Sequence, residues 1–229
     1  MNYTRILVFG AHPDDELRMA GTMALLAERG VEVAVVTMTN GSEGYPRPEW
    51  RDRIVALRRE EMAGADRVLG IARRYTLDRD DMGLVNDKAT VKECVRIVRE
   101  ARPDAVFTHG PHDNHRDHLA THALSVEAVW HAGEPVVAEL GEPWRTPHLY
   151  YYKSCNLPLP CVVIDTTAWQ HKRAEAYATQ VSQHTLFRRT REDFLAEAAR
   201  LRQNPPPASE RFWIVERNIL PDFLPLRRD

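Results

Sequence analysis

Ile6-Leu7-Val8-Phe9-Gly10-Ala11-His12-Pro13-Asp14-Asp15-Glu16 is the stretch that decides the fold. Four consecutive apolar residues read as a strand buried on both faces, and Gly10 lets the chain leave it. The strand delivers an imidazole and adjacent carboxylates to its own C-terminal end, where ligands bind in an open α/β sheet. A second cluster, Pro111-His112-Asp113-Asn114-His115-Arg116-Asp117-His118, follows another apolar run, Ala105-Val106-Phe107. Two His/Asp clusters, each at a strand exit, look like the two halves of one metal site.

Outward from the first strand (Arg5 to Gly10), strand and helix patterns alternate. Glu16 to Arg29 has helical spacing and is ended by Gly30. Val31 to Met38 is rich in β-branched residues, as a doubly buried strand should be. A long helix over Arg51 to Leu69, closed by Gly70, comes next. A short strand at Arg74 to Leu77, a helix from Thr90 to Ala101, a strand at Asp104 to Thr108 and a helix from Asp117 to His131 complete this half. The order predicts a Rossmann-like, largely parallel α/β sheet with helices on both faces. In strand order 3-2-1-4 the first and fourth strands are neighbours, so both clusters meet at the switch point.

After Gly133 prolines punctuate strand-like pieces at Leu149 to Lys153 and Val162 to Asp165. Helices are expected over Thr167 to Gln183 and Arg191 to Gln203, and a last strand over Phe212 to Glu216. Residues 1–229 are read as one domain, with 1–132 the doubly wound core and 133–229 an extension walling the pocket. A net charge of −2, from 31 basic and 33 acidic residues, offers no global field for nucleic acid. The short runs Arg188-Arg189 and Arg227-Arg228 read as solvated surface. Met1 to Arg5 lead directly into the first strand without a signal-peptide pattern, and no apolar run approaches a membrane span. Cys94, Cys155 and Cys161 are odd in number and form no C-x-x-C, which fits reduced thiols in a cytoplasmic protein.

The chain resembles the PIG-L/LmbE family of zinc-dependent de-N-acetylases. The first family motif, (A)HPDD(E), stands at Ala11 to Glu16. The second, P-x-D-x-H-x-D-H, stands at Pro111, Asp113, His115, Asp117 and His118. Weaker echoes are Gly21-Thr22, Thr39 to Gly44, Arg58-x-x-Glu61 with Ala65 and Leu69-Gly70, and Ser182-Gln183. The resemblance covers most of residues 4 to 184. Two departures stand out. Arg116 replaces the usual proline of His-Pro-Asp-His, which is expected to loosen the loop and bring positive charge near the cation. The glycine-rich segment after the first motif is reduced to Arg18-Met19-Ala20-Gly21-Thr22.

A catalytic zinc holds three protein ligands and leaves one position open. His12, Asp15 and His118 fit that count and match the family's ligand positions; Zn2+ is the implied metal, and Fe2+ suits the same donors. The His12/Asp15 spacing suits a turn into a helix N-terminus that Pro13 restricts and an Asp can cap. By resemblance Asp14 is the base acting on water at the metal. By the same resemblance His115 stabilises the oxyanion and protonates the leaving amine. Asp117 could hold one imidazole in its tautomer, as a further member of the catalytic group. Arg58 matches a family position for substrate binding, with Glu61 supporting it; the plain reading is an exposed helical arginine paired at helical spacing. Gly41 lies in a loop that could line the pocket. His109 and His112 are read as pocket-lining or hydrogen-bonding residues, and His122 and His131 as helix residues without a role.

The implied function is zinc-dependent removal of the acetyl group from an N-acetylamino sugar or glycoside. The partner is that small molecule, with a homo-oligomer compatible with it. One alternative is an iron enzyme with two histidines and one carboxylate as ligands, which would need H-x-x-D on a parallel sheet rather than the closer H-x-D. The other is a non-catalytic sugar- or nucleotide-binding Rossmann-like module, which has no use for Asp14 beside a full ligand set.

Overall fold

The computed structural model describes residues 3–153 and 155–215; Glu216 and the Arg227-Arg228 run lie outside them. Strand β1 (Arg5–Gly10) lies inside the sheet. It pairs in parallel with β2 (Glu32–Thr39) on one side and β4 (Ala105–His109) on the other, Ile6 facing both Val33 and Ala105. Strand β3 (Arg73–Arg79) lies parallel beyond β2, and β5 (His148–Lys153) parallel beyond β4. Strands β7 (Ser209–Ile214) and β6 (Cys161–Asp165) extend the same sheet in antiparallel fashion. The order is β3-β2-β1-β4-β5-β7-β6, which contains the expected 3-2-1-4.

Period-two alternation along β1 builds two cores. Leu7 and Phe9 pack on one face with Val95 and Val98 of α3 (Lys88–Ala101) and Leu124 and Val129 of α4 (Arg116–Ala132). Ile6 and Val8 pack on the other. Their partners there are Met23 of α1 (Ala20–Glu28), Leu69 of α2 (Ile54–Leu69) and Ala176 of α5 (Gln170–Ala178). The short α6 (His184–Phe187) and α7 (Arg191–Gln203) follow α5. Gly70 takes a left-handed φ of 73° to end α2, a conformation that favours glycine.

Three expected helices are altered. The first motif does not run straight into a helix: residues Asp15–Met19 form a 3-10 turn, and α1 begins only at Ala20. The amides of Gly21 and Thr22 are capped at 3.0 and 2.8 Å by the carboxylate of Glu210, from the last strand. A Cβ on Gly21 would stand 2.7 Å from Cβ of Thr166, so glycine is needed for this close approach. The helix expected from Arg51 also starts later, at Ile54 after a 3-10 turn over Pro48–Arg53, and the one expected over Thr167 to Gln183 is broken. After a 3-10 turn over Thr167–Trp169, α5 stops at Ala178, and a second 3-10 turn spans Val181–Gln183. At the break Thr179 Oγ1 bonds back to the Ala176 carbonyl at 2.7 Å, and Gln180 and Ser182 turn toward buried charges on α2. Satisfying those charges outweighs one more helical turn.

Candidate functional site

The C-terminal ends of β1 and β4 bring the two motifs together, as their sequence positions imply. The turn after β1 is closed by the His12 carbonyl, which accepts the amides of Asp14 and Asp15. Asp15 Oδ2 accepts the His12 amide at 2.8 Å. Asp14 takes the position before the 3-10 turn but makes no side-chain cap bond, so neither Asp caps forward as the sequence allowed. After β4 the loop is held by Asp113 Oδ1, which accepts the His115 amide at 2.8 Å. Nδ1 of His115 accepts the Asp117 amide and caps α4. Arg116 is the exposed first residue of α4, a position that also suits proline because the N–H there lacks a helical partner. The loop is tied by Asp113 and His115.

Two imidazoles converge. His12 Nδ1 and His118 Nε2 lie 3.2 Å apart. Their other nitrogens face carboxylates: His12 Nε2 lies 3.2 Å from Asp117 Oδ2, and His118 Nδ1 lies 2.9 Å from Asp113 Oδ2. Asp15 turns one oxygen to each ring, Oδ2 at 3.3 Å from His12 Nδ1 and Oδ1 at 3.4 Å from His118 Nε2. Two ligands about 2.0 Å from a tetrahedral zinc would be separated by roughly 3.3 Å. If each ring keeps its proton on the nitrogen facing Asp117 or Asp113, His12 Nδ1, His118 Nε2 and the Asp15 carboxylate are left to converge on one point, an arrangement that suits a cation. The donor set fits a divalent metal. His118 also belongs to two further close groups of donors, with His12 and His115 and with Asp15 and His109.

Electrostatics agree. Burial works against a charge on His12, but Asp117 and Asp15 outweigh it and raise its pKa to about 10. Those carboxylates favour positive charge at that ring, the sign of charge that a metal between the two imidazoles would supply. Burial would lift Asp15, yet the His109, His118 and His12 rings hold it well below the usual carboxylate range. Burial would also lift Asp117, but the His12 ring and the Met82 amide keep it below that range. His115 is pushed down by desolvation and by the His12 and His118 rings. In its neutral form, with Nδ1 accepting the Asp117 amide, the proton sits on Nε2.

The cavity at this point is about 400 Å³ and is lined by His12, Asp14, Asp15, His115 and His118, with Gly41 and Arg58 beside them. Gly41 has φ 77°, and a Cβ there would stand 2.9 Å from Cγ of Arg58. Arg58 is not the exposed helical arginine of the plain reading: its side chain is 2% exposed. Its Nη2 binds Asp14 Oδ2 at 2.9 Å, while Nη1 donates to Glu61 Oε2 at 2.9 Å and Gln180 Oε1 at 3.2 Å. Burial opposes the Arg58 charge, and Asp14 and Glu61 raise its pKa against that. Glu61 stands behind Arg58 and accepts from the amide and hydroxyl of Ser182; it does not line the cavity. Asp117 is likewise buried behind His12.

His109 is buried, with Nε2 within 3.1 Å of Tyr152 Oη and its ring stacked on His118. His112 accepts a long bond from the Asn156 amide. His122 does have a contact, Nδ1 lying 3.0 Å from the His109 carbonyl, and His131 pairs with Glu127. The site also holds residues the sequence reading did not select. Asp81 accepts the amides of Gly41 and Glu43 and fixes that loop. Gln183 donates to the Gly44 carbonyl at 2.8 Å. Lys153, at the end of β5, places Nζ 2.9 Å from Asp15 Oδ1. Asp113 stood inside the second motif and Gln183 in the Ser-Gln echo, but nothing local marked Lys153 or Asp81.

Residues 7–129 match the family described as PIG-L, GlcNAc-PI de-N-acetylase. A 1D-myo-inositol 2-acetamido-2-deoxy-alpha-D-glucopyranoside deacetylase of Rhodococcus erythropolis is 32% identical in an alignment 180 residues long that covers 64% of this chain and 60% of that protein. The chain spans 55% to 60% of the length of the first curated relatives it matches. Among solved structures, an N,N'-diacetylchitobiose deacetylase from Pyrococcus horikoshii aligns with TM-score 0.79 at 25% identity. That alignment covers 97% of this chain and 90% of that one. A 4-carboxy-2-hydroxymuconate hydratase from Pseudomonas putida aligns with TM-score 0.76 at 22% identity, covering 93% of this chain and 96% of that one. The hydratase shares the fold alone, so the fold does not specify the reaction.

Proposed function

Since the chain belongs to the PIG-L (GlcNAc-PI de-N-acetylase) family, we propose that it is a metal-dependent deacetylase. Its reaction is hydrolysis of the acetamide of an N-acetylamino sugar or glycoside, giving acetate and a free amine. The observation that carries this reading is the pair of converging imidazole nitrogens, 3.2 Å apart, with Asp15 against both and Asp14 beside them. His12, Asp15 and His118 are the residues that would hold the cation, and zinc is the metal we assign. When bound, the cation supplies Lewis acidity, polarising the amide carbonyl and making water more acidic.

Asp14 is the general base. It lines the cavity, and Arg58 Nη2 at 2.9 Å fixes its carboxylate so that one oxygen is held and the other is available for a proton. Arg58 is locked in turn by Glu61 and Gln180. Arg58 and Glu61 therefore serve the substrate by orienting Asp14, and Gly41 keeps the wall open beside them. His115 donates a hydrogen bond from Nε2 to the oxygen that gains charge as the carbonyl becomes tetrahedral, and Asp14 returns the proton it took from water to the departing amine. Asp117 holds His12 with Nδ1 facing the other ligands. The unpaired cysteines suit the cytoplasm, and among the described residues no helix is long and apolar enough to cross a membrane.

Acetate release from a panel of N-acetylglucosamine derivatives, with and without added Zn2+, tests the proposal. Zinc-stimulated release from at least one sugar is expected; full activity of metal-free protein would overturn the metal assignment. His115→Ala should keep the metal and lower kcat by about 10²–10³-fold with little change in KM. Unchanged kcat would remove His115 from its role.

A further inference from the structure

Lys153 has no part in the reaction above, yet it lies against the ligand set. Its Nζ is 2.9 Å from Asp15 Oδ1, and that same oxygen is 3.4 Å from His118 Nε2. The contact is not an accident of a loose surface side chain. The β4–β5 pairing shifts register between Thr108 and His109, setting Lys153 opposite His109, and the Gly110 amide binds the Lys153 carbonyl at 2.6 Å. The lysine is therefore anchored by backbone at a strand end, with its side chain 20% exposed and Asp15 6% exposed.

Facing Asp15 are the His12 amide at 2.8 Å, ring nitrogens of His12, His118 and His109 at 3.3, 3.4 and 3.5 Å, and Lys153, the ammonium among them. A cation entering between His12, His118 and Asp15 would meet that ammonium as a like charge competing for the same carboxylate. Coulomb interaction at such range remains substantial in a partly buried site. We propose that Lys153 is a built-in counter-charge for the ligand set: it stabilises Asp15 while no metal is bound and weakens the affinity for the metal. Lys153 is a positioning residue in this scheme, holding Oδ1 so that Asp15 keeps one oxygen toward each imidazole. The inference rests on the metal reading above.

Two opposite effects follow from one substitution, and ordinary packing would not produce them together. Wild type, Lys153→Met and Lys153→Arg are stripped with chelator. Zn2+ affinity is then measured by competition with a fluorescent chelator, and thermal unfolding with and without Zn2+. Lys153→Met is expected to bind Zn2+ roughly tenfold or more tightly. Its metal-free Tm is expected to fall by roughly 3–10 °C, with a much smaller change when zinc is bound. Lys153→Arg keeps the charge and should restore both values toward wild type. Unchanged or weaker zinc binding by Lys153→Met would overturn the counter-charge. So would an equal loss of Tm in both states, the signature of packing alone. If wild type itself bound no Zn2+, the metal reading would fail, and this inference with it, a result distinct from the others.

Discussion

Asp15 and Glu16 are neighbours in sequence and both are buried, but they enter two different charge clusters. Glu16 turns toward Arg74 of β3, whose Nη2 binds it at 2.6 Å. Arg74 also binds Asp66 of α2 through Nε and Nη2 and the Thr37 hydroxyl through Nη1 at 2.6 Å. There the guanidinium donates to two carboxylates and a hydroxyl. Burial lifts Glu16 above the usual carboxylate range even against Arg74, and Glu16 and Asp66 raise the Arg74 pKa. Asp15 turns the other way, toward the nitrogens of three imidazoles and the Lys153 ammonium. A cluster that closes on itself holds the fold together; one that leaves bare donor atoms converging is prepared for a ligand.

The comparison can be broken at several points. The largest effect is expected for Asp15→Ala, which should abolish both zinc binding and acetate release while the protein still folds. Metal analysis and activity decide it, and retained zinc would move Asp15 out of the ligand set. Arg74→Met should act on the other cluster. It leaves Glu16 and Asp66 buried without their cation and should cost about 3–5 kcal/mol of stability by urea unfolding, with zinc stoichiometry unchanged. Loss of zinc from a folded Arg74→Met protein would show that the two clusters are one.

Asp14→Asn sharpens the division inside the site. The metal should stay while kcat drops by about 10²-fold. If zinc were lost as completely as in Asp15→Ala, base and ligand would exchange roles. The smallest effect is reserved for Asp104, at the far end of the strands. Its Oδ2 accepts the Thr4 amide, the Arg5 amide and the Thr4 hydroxyl at 2.7, 3.0 and 2.8 Å. Burial would raise its pKa, but these bonds lower it. A lowered folded-state pKa means that its stabilisation is present above the unfolded carboxylate value, about 3.9, and is lost as pH falls through the folded value. Asp104→Ala should cost about 1 kcal/mol at pH 7. Urea unfolding from pH 7 to pH 3 should show that difference shrinking with acid; a constant difference would deny the carboxylate its role.

Much of this was legible along the chain. The four-residue apolar run at Ile6 to Phe9 and the β-branched run at Val31 to Met38 announced central parallel strands, because burial on both faces leaves no polar alternation. The two His/Asp clusters followed strand ends, and strand order brought them together. The failures have local causes. Thr167 to Gln183 has a helical pattern throughout, yet the buried Arg58-Glu61 pair draws Gln180 and Ser182 out of the helix. Helical spacing at Arg58-Arg59-Glu60-Glu61 said nothing of which arginine faces inward; Arg58 does, and Arg59 pairs with Asp78 at the surface.

Sequence by itself determined the 3-2-1-4 part of the sheet, the switch point and the kinds of donor gathered there, because strand periodicity and motif spacing are properties of short segments. Tertiary structure alone decided which nitrogen of each imidazole faces inward, which acid each ring leans on, and that Asp15 and Glu16 part company. It also decided that Arg58 serves Asp14 and that Lys153 reaches Asp15. Those pairings join residues separated by 44 positions for Arg58 and Asp14 and by 138 for Lys153 and Asp15. Charge pairing falls off with distance in space rather than along the chain, so only folding reveals which partners come within reach.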